Sequence, residues 1–296
     1  MRAGVIGEAL VDVLPDGRAL PGGSPMNVAV GLARLGHDVE FATDLGVDGY
    51  GTLVAEHVAA AGVRLVAGSV MAGATSVARA TLDDEGRASY EFELRWQPPA
   101  PPTAGLDLLH TGSIGAILPS GAEVVAAALR EARAGGVLVS FDPNVRPGIM
   151  GARDEVLGRV EELTASAHIV KLSDEDAEWL YPGVDPADVL DRLLAAGASV
   201  AVVTRGPDGC LARTGTTELA LPAAPVVVAD TIGAGDAFMS GLLHGVATTG
   251  SSSAIRGGED FDLATVLQTA LASARVAVSR PGANPPWPEE LAAARG

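Results

Sequence analysis

The sequence predicts an α/β protein: a doubly wound, mostly parallel sheet flanked by helices, carrying a small β lid. Three observations carry that prediction. β-Branched apolar runs alternate with Ala/Leu-rich stretches of helical period along most of the chain. Residues 76–96 break the alternation with two strand-like runs and no helix between them. Glycine-rich turns stand at the starts of two expected helices, around Gly22-Gly23 and Gly233-Ala234-Gly235.

In chain order, strands are expected at 5–11, 39–43, 106–111, 137–141, 169–172, 200–204 and 226–229. Helices are expected at 25–35, 52–61, 121–134, 154–166, 188–196, 236–248 and 263–278. The first helix is the best marked, with Ser24 suited to its cap, Pro25 to its first position and Gly36 to its stop. Between the early elements, runs 76–82 and 89–96 flank the turn Asp83-Asp84-Glu85-Gly86 and should form a hairpin. Its second arm alternates in character from Tyr90 to Trp96, so one face can cover a ligand or a partner subunit, whereas the plainer reading is an edge extension of the sheet. Prolines between 98 and 102 return the chain to the core as a stiff connector, and the tract around 248–253 reads as a small-residue loop. One domain over 1–296 is expected, its lid built mainly from about 76–96.

Composition narrows the partners. With 296 residues and 48% hydrophobic content the chain can bury a large core. A formal net charge of -17 would repel nucleic acid and anionic membranes, so a small neutral or metal-neutralised ligand fits better. Neither a signal peptide nor a bilayer-spanning run is evident, and the single cysteine, Cys210, offers no internal disulfide; the expectation is a cytoplasmic protein. The histidines lack paired zinc-ligand spacing.

The strongest motif is Asp230-Thr231-Ile232-Gly233-Ala234-Gly235-Asp236-Ala237-Phe238, after an expected strand and opening a helix. Small residues let backbone amides approach an anion there, and the helix N-terminus adds positive potential, a setting for a phosphate in transfer. A dinucleotide fingerprint would need glycine where Phe238 stands, and a Walker A loop would need a lysine in the turn. An ordinary tight turn explains the glycines but not acids at both 230 and 236. The second motif, Pro21-Gly22-Gly23-Ser24-Pro25-Met26-Asn27, sets two glycines before a helix, with Asn27 able to serve ligand hydroxyls or capping. Lys171 is the sole lysine, leaving a strand either toward a phosphate or an acidic cluster or simply into solvent.

Together, the Gly-Gly-x-x-x-Asn helix start and the late Asp-Thr-x-Gly-Ala-Gly-Asp turn resemble the PfkB (ribokinase-like) carbohydrate kinase family. Gly7-Glu8-x-x-Val11-Asp12, Asp142-Pro143-Asn144-Val145-Arg146, Lys171-Leu172-Ser173-Asp174-Glu175-Asp176 and Thr204-Arg205-Gly206-x-x-Gly209 follow in the family's order, and the Asp-Pro-Asn-x-Arg segment is most similar to the fructokinase branch. The resemblance implies sugar bound beneath the lid and ATP across the sheet's carboxyl edge. It implies Asp236 as catalytic base and the amides of Gly233, Ala234 and Gly235 as an anion hole. Asp12, Gly23 and Asn27 would bind sugar hydroxyls, with Asp142, Asn144 and Arg146 near substrate or phosphates. Thr204, Gly206 and Gly209 would lie along the nucleotide, joined by Lys171 and Ser173.

The departures are specific. Where some members carry Asn-x-x-Glu for the Mg²⁺ network, this chain has Ser173 and Asp176, with Glu175 able to substitute. Leu271 falls where ribokinases tend to carry an asparagine beside adenine, which weakens ribose as substrate. A K⁺ ion behind the turn would use Asp230 and the carbonyls of Ile232 and Gly282. Fructose is the expected acceptor, because Asp12, Asn27 and Asn144 are neutral or acidic partners. The alternative 2-keto-3-deoxygluconate would need a cation, for which Arg95 and Arg79 are candidates. A catalytically silent sugar-binding regulator and a nucleoside kinase are further alternatives, the latter set against an aromatic content of 4%. A homodimer through the lid is the expected protein partnership.

Overall fold

The structure, a computed structural model, describes residues 1–82 and 88–295. Among these the main sheet has nine strands. From one edge to the other they are Glu218–Leu221, Cys210–Thr214, Val200–Thr204, Ile169–Ser173, Leu138–Asp142, Leu108–Gly112, Arg2–Ile6, Asp38–Ala42 and Arg64–Leu65. The last seven run parallel, and the first two add an antiparallel edge. Register places Ile6 beside Thr111, Gly112 beside Asp142 and Ser173 beside Thr204. The carboxyl ends therefore form one continuous rim, where an open α/β sheet receives its ligands.

Alternation along each strand splits the core in two. Val139, Phe141, Val170 and Leu172 face helices Pro119–Ala134, Arg153–Thr164 and Pro186–Ala196, while Leu108, Leu138, Ile169 and Val202 face Ser24–Arg34, Ala234–Thr248 and Leu263–Val278. Burial on both sides explains the near-continuous apolar runs read from the sequence. Each such fully buried side chain is worth roughly 1.5–3 kcal/mol of transfer free energy. Helix Ala234–Thr248 lies between two others at close range. A Cβ at Gly241 would stand 3.0 Å from the Ala270 Cα, and one at Gly245 would stand 3.1 Å from the Val266 Cα. Leu271, half-buried, packs against this same core.

Two expected strands are corrected. The run 5–11 is divided into Arg2–Ile6, central in the main sheet, and Leu10–Val13, which leaves it. The bend falls at Gly7, where any side chain would collide with the Pro25 ring. Residues 226–229 form no strand; Val227 is 89% exposed, and the loop has no neighbouring strand to complete a ladder beyond the edge strand Glu218–Leu221. Part of the tract expected as a loop is helical, in Ser252–Gly257.

The lid is a four-stranded sheet ordered Ala19–Gly22, Leu10–Val13, Val77–Leu82, Ala88–Glu93. It takes two strands from residues 10–22 as well as the expected hairpin, whose turn Asp83-Asp84-Glu85-Gly86 lies outside the described residues. Both stems are tied to the main body. Asp48 accepts from the Thr75 backbone N–H at 2.8 Å and its hydroxyl at 2.7 Å, and buried Asp44 accepts from Gln97 N–H at 2.7 Å and pairs with Arg95 at 3.1 Å.

Candidate active site

Gly233 sits at the N-cap of helix Ala234–Thr248 with φ 73°, a left-handed conformation in which a Cβ would also stand 2.7 Å from the Ala283 Cβ. The turn before it is held by Asp230, whose carboxylate accepts from Ile232 N–H at 3.0 Å and Gly282 N–H at 2.8 Å. Those two amides hold the Asp230 carboxyl below its ordinary range. Ala234 donates its amide to the Thr231 carbonyl at 3.2 Å, so of the three expected anion-hole amides this one already has an acceptor. Amides of a helix's first turn have no intrahelical acceptor, and their dipoles converge on whatever sits before them.

Asp236 follows in that first turn and is 6% exposed. Its Oδ1 accepts from the Ser24 hydroxyl at 2.6 Å and its Oδ2 from the Asn27 amide at 2.7 Å. The helix cap carries no side-chain hydrogen bond, so a capping role for Asp236 does not describe the geometry. Ser24 is corrected likewise: it is the first helical residue after Gly23, and its hydroxyl turns to Asp236 instead of to its own helix. The two glycine motifs, far apart in sequence, thus meet on one carboxylate.

Beside them lies a buried ion pair. Lys171 Nζ is 2.7 Å from Asp142 Oδ2, and the lysine is 3% exposed, which excludes a solvated strand end. A Cβ on Gly235 would stand 3.1 Å from that Nζ, so the ammonium lies against the first turn of the helix. Burial opposes the charge on Lys171, but Asp142, with Asp176 and Asp236 behind it, holds the ammonium above its ordinary range. Asn144, at φ 37°, places its N–H 3.2 Å from Asp142 Oδ1.

The residues expected around Mg²⁺, Ser173, Glu175 and Asp176, are placed as follows. Asp176 accepts from Val145 N–H at 2.8 Å on one oxygen and Ser173 N–H at 2.9 Å on the other, while the Ser173 hydroxyl accepts Asp176 N–H at 3.0 Å. This is a capping box for helix Asp174–Leu180, and it accounts for both residues structurally. Glu175 is exposed and lines an outer groove with Arg153, Trp179 and Pro182. Among the described residues no three acidic, histidine or cysteine side chains converge on a metal.

Of the residues expected to bind sugar, Gly23 has φ 117° and any Cβ there would lie 2.6 Å from the Glu8 carbonyl. Burial raises the Asp12 carboxyl above its ordinary range, and the charge of Arg146 offsets part of that rise. Arg146 Nη1 donates to the carbonyls of Asn144 at 3.3 Å and Val145 at 2.9 Å. Of the residues expected along the nucleotide, Thr204 ends its strand with its hydroxyl 3.3 Å from the Leu172 carbonyl, and Arg205 N–H closes on the Gly209 carbonyl at 2.7 Å around Gly206. Sequence reasoning assigned no role to Glu8 or Ser113, buried beside this site; Glu8 lay within a quoted motif, but its burial depends on contacts across 107 positions.

A doubly wound sheet with a detached lid, and a buried carboxylate at a glycine-lined helix start on its rim, defines a small-molecule kinase. Residues 9–290 match the description "pfkB family carbohydrate kinase", and the chain belongs to that family of ATP-dependent sugar kinases. It is 36% identical over 263 residues to a fructokinase of Klebsiella pneumoniae, covering 83% of this chain and 84% of that protein. Fructokinase of Xylella fastidiosa with bound ATP superposes with a TM-score of 0.84 at 28% identity, over 99% of this chain and 97% of that one. Aminoimidazole riboside kinase of Salmonella enterica, complexed with aminoimidazole riboside and an ATP analogue, gives 0.80 at 26% identity over the whole of both chains. No helix among the described residues is long and apolar enough to cross a membrane.

Proposed function

We propose that this enzyme transfers the γ-phosphoryl group of ATP to a hydroxyl of fructose in the cytosol, with Asp236 accepting the hydroxyl proton. The observation that carries the reading is the Asp236 carboxylate itself, buried and oriented by Ser24 and Asn27 at the helix start that carries Gly233 and Gly235. A base so held needs only one proton transfer, while first-turn amides and the Lys171 ammonium meet charge on the phosphoryl oxygens. Asp12, Gly23, Asn27, Asn144 and Arg146 form the sugar side of this proposal; Thr204, Gly206 and Gly209 form the nucleotide side. Mg²⁺ belongs to it as an ion carried by phosphate oxygens and water, which suits its preference for few protein ligands. K⁺ belongs to it at Asp230 with the carbonyls of Ile232 and Gly282.

Fructose is favoured over a keto acid by the state of the two candidate cations. Arg95 is paired with buried Asp44, and Arg79 with Glu93 at 3.3 Å, so neither offers an unopposed charge to a substrate carboxylate. The relatives named fructokinase point the same way. Steady-state ADP release should show a kcat/KM for fructose at least about tenfold above that for 2-keto-3-deoxygluconate, roughly the value of one good differential contact. A preference for the keto acid would sink the fructose assignment.

The four-stranded sheet is the lid in this reading, closing over sugar or pairing with the same sheet of a second subunit. A small open sheet is marginal unless covered. Amide exchange in Leu10–Val13 and Ala19–Gly22 should slow on adding fructose, or be slow already in a dimer. Equal, rapid exchange with and without sugar in a monomer refutes both versions.

A further inference from the structure

Glu8 is 5% exposed, and no part of the proton transfer above uses it. Its Oε2 accepts the Gly115 N–H at 2.8 Å, at the start of the short helix Ser113–Ile117. The fit is close, because a Cβ on Gly115 would stand 2.7 Å from the Glu8 nitrogen and 2.9 Å from Oε2. On its other side the Glu8 carbonyl lies where a Cβ of residue 23 would come, one residue before Ser24, which holds Asp236. The Glu8 carboxyl also meets the Ser113 hydroxyl. Ser113 in turn reaches the Asn144 carbonyl at 3.4 Å, the same carbonyl that accepts from Arg146.

Ser113 and Asn144 are the non-glycine residues with positive φ among the described residues, at 54° and 37°. Conformations of that kind persist only when neighbours hold them, and they collect at functional sites. Here they touch, and Glu8 is the side chain behind them.

We propose that Glu8 is a positioning residue for phosphoryl transfer: its carboxyl group locks Ser113 and Gly115 against the Gly23 turn, and so fixes the Asn144–Arg146 wall relative to Asp236. This rests on the reading of Asp236 as base. The role suits a carboxylic acid better than a carboxylate. Burial pushes the Glu8 carboxyl up to about 8 against the pull of its hydrogen bonds to Gly115, its own backbone and Ser113, and the charge of Asp236 adds to the rise. Protonated, it keeps an O–H for the Ser113 hydroxyl and adds no second negative charge beside the base and the incoming phosphates. The groups facing it are Ser113 and the Gly115 amide from the short helix and Asp236 from helix Ala234–Thr248, with Asp142 and Lys171 beyond Asp236.

The test compares the parent enzyme, Glu8→Gln, Glu8→Ala and Asp236→Asn, with ATP and fructose, from about pH 6 to about pH 9.5, where a change in an essential group appears as a limb of the kcat profile. Thermal unfolding accompanies each measurement. Folded Glu8→Ala should lose at least about tenfold in kcat at neutral pH, the cost of a wall displaced by a fraction of an ångström. Glu8→Gln, which keeps a donor and an acceptor but cannot ionise, should recover kcat to within about threefold of the parent and lack the parent's decline above about pH 8. A folded Glu8→Ala with kcat within about twofold of the parent, while Asp236→Asn is inactive, overturns this inference alone. If Glu8→Ala does not fold, Glu8→Gln decides: an alkaline decline identical to the parent's overturns it. A fully active Asp236→Asn overturns the base and this inference together.

Discussion

Asp236→Asn lowers kcat by about 10²–10⁴, the range that general-base catalysis supplies, while ATP affinity is retained. Asparagine keeps the size of the side chain and still accepts from the Ser24 hydroxyl, but it cannot take the acceptor's proton. One rearrangement comes with it. Asn27 now donates to Asp236 Oδ2, and an amide at 236 would present a second donor, so the Asn27 amide turns over to accept instead. Sugar affinity should therefore shift by only a few-fold, the effect of one altered neutral hydrogen bond. ADP release gives kcat, calorimetry gives both affinities, and unfolding checks the fold. A folded variant keeping more than about a tenth of parental kcat removes the base role, since even weak general-base catalysis exceeds that loss.

Lys171→Met should destabilise the fold by about 3–5 kcal/mol, because it leaves Asp142 buried without its counter-charge. Met is close in volume to the lysine stem, so the loss reflects charge more than packing. The deficit has a definite pH dependence. Burial already raises the Asp142 carboxyl to about 6 even against the pull of Lys171, and without the lysine it rises further above its unfolded value. A carboxyl raised in the folded state supports the fold below its unfolded pKa and loses that contribution as pH climbs through the folded value. Urea denaturation should therefore show a larger deficit at about pH 8 than at about pH 5, and adding Asp142→Asn should recover part of the loss. An unchanged midpoint at both pH values would mean that the pair contributes nothing. Turnover of the folded variant separately reports what the ammonium does for the phosphoryl group.

What was legible in the sequence followed from local rules. The parallel strands announced themselves because both faces are buried, so residues 200–203 and the trio Leu138, Val139 and Phe141 supply apolar side chains to both sides of the sheet. Helix Ser24–Arg34 was legible from Pro25 and Gly36, which act within one turn of their own positions. The antiparallel strands Cys210–Thr214 and Glu218–Leu221 escaped notice because an edge hairpin is partly exposed and interrupted by polar residues such as Arg213 and Thr214. The break after Ile6 was hidden for another reason: residues 5–11 are apolar apart from Gly7 and Glu8, and the close approach of the Pro25 ring to Gly7 comes from another element. Site residues divided the same way. The acids at 230 and 236 stood out against their glycines, whereas Ser173 and Asp176 also satisfy a capping box that the same spacing encodes.

The placement of Arg2–Ile6 bears on how the chain is made. This strand is synthesised before both of its neighbours, yet it belongs in the middle of the sheet, flanked by Asp38–Ala42 on one side and Leu108–Gly112 on the other. The nascent chain must therefore keep an apolar segment waiting, with one open edge, until the second neighbour has been synthesised. Pairings between distant segments of this kind are slow to form, and the waiting edge is where a holding chaperone would be most useful. Helix Ala234–Thr248, which carries Asp236, comes off much later and docks on Ser24–Arg34, whose Ser24 and Asn27 hydrogen-bond to it. A prematurely terminated product would thus contain Ser24 and Asn27 without the carboxylate that both of them hold.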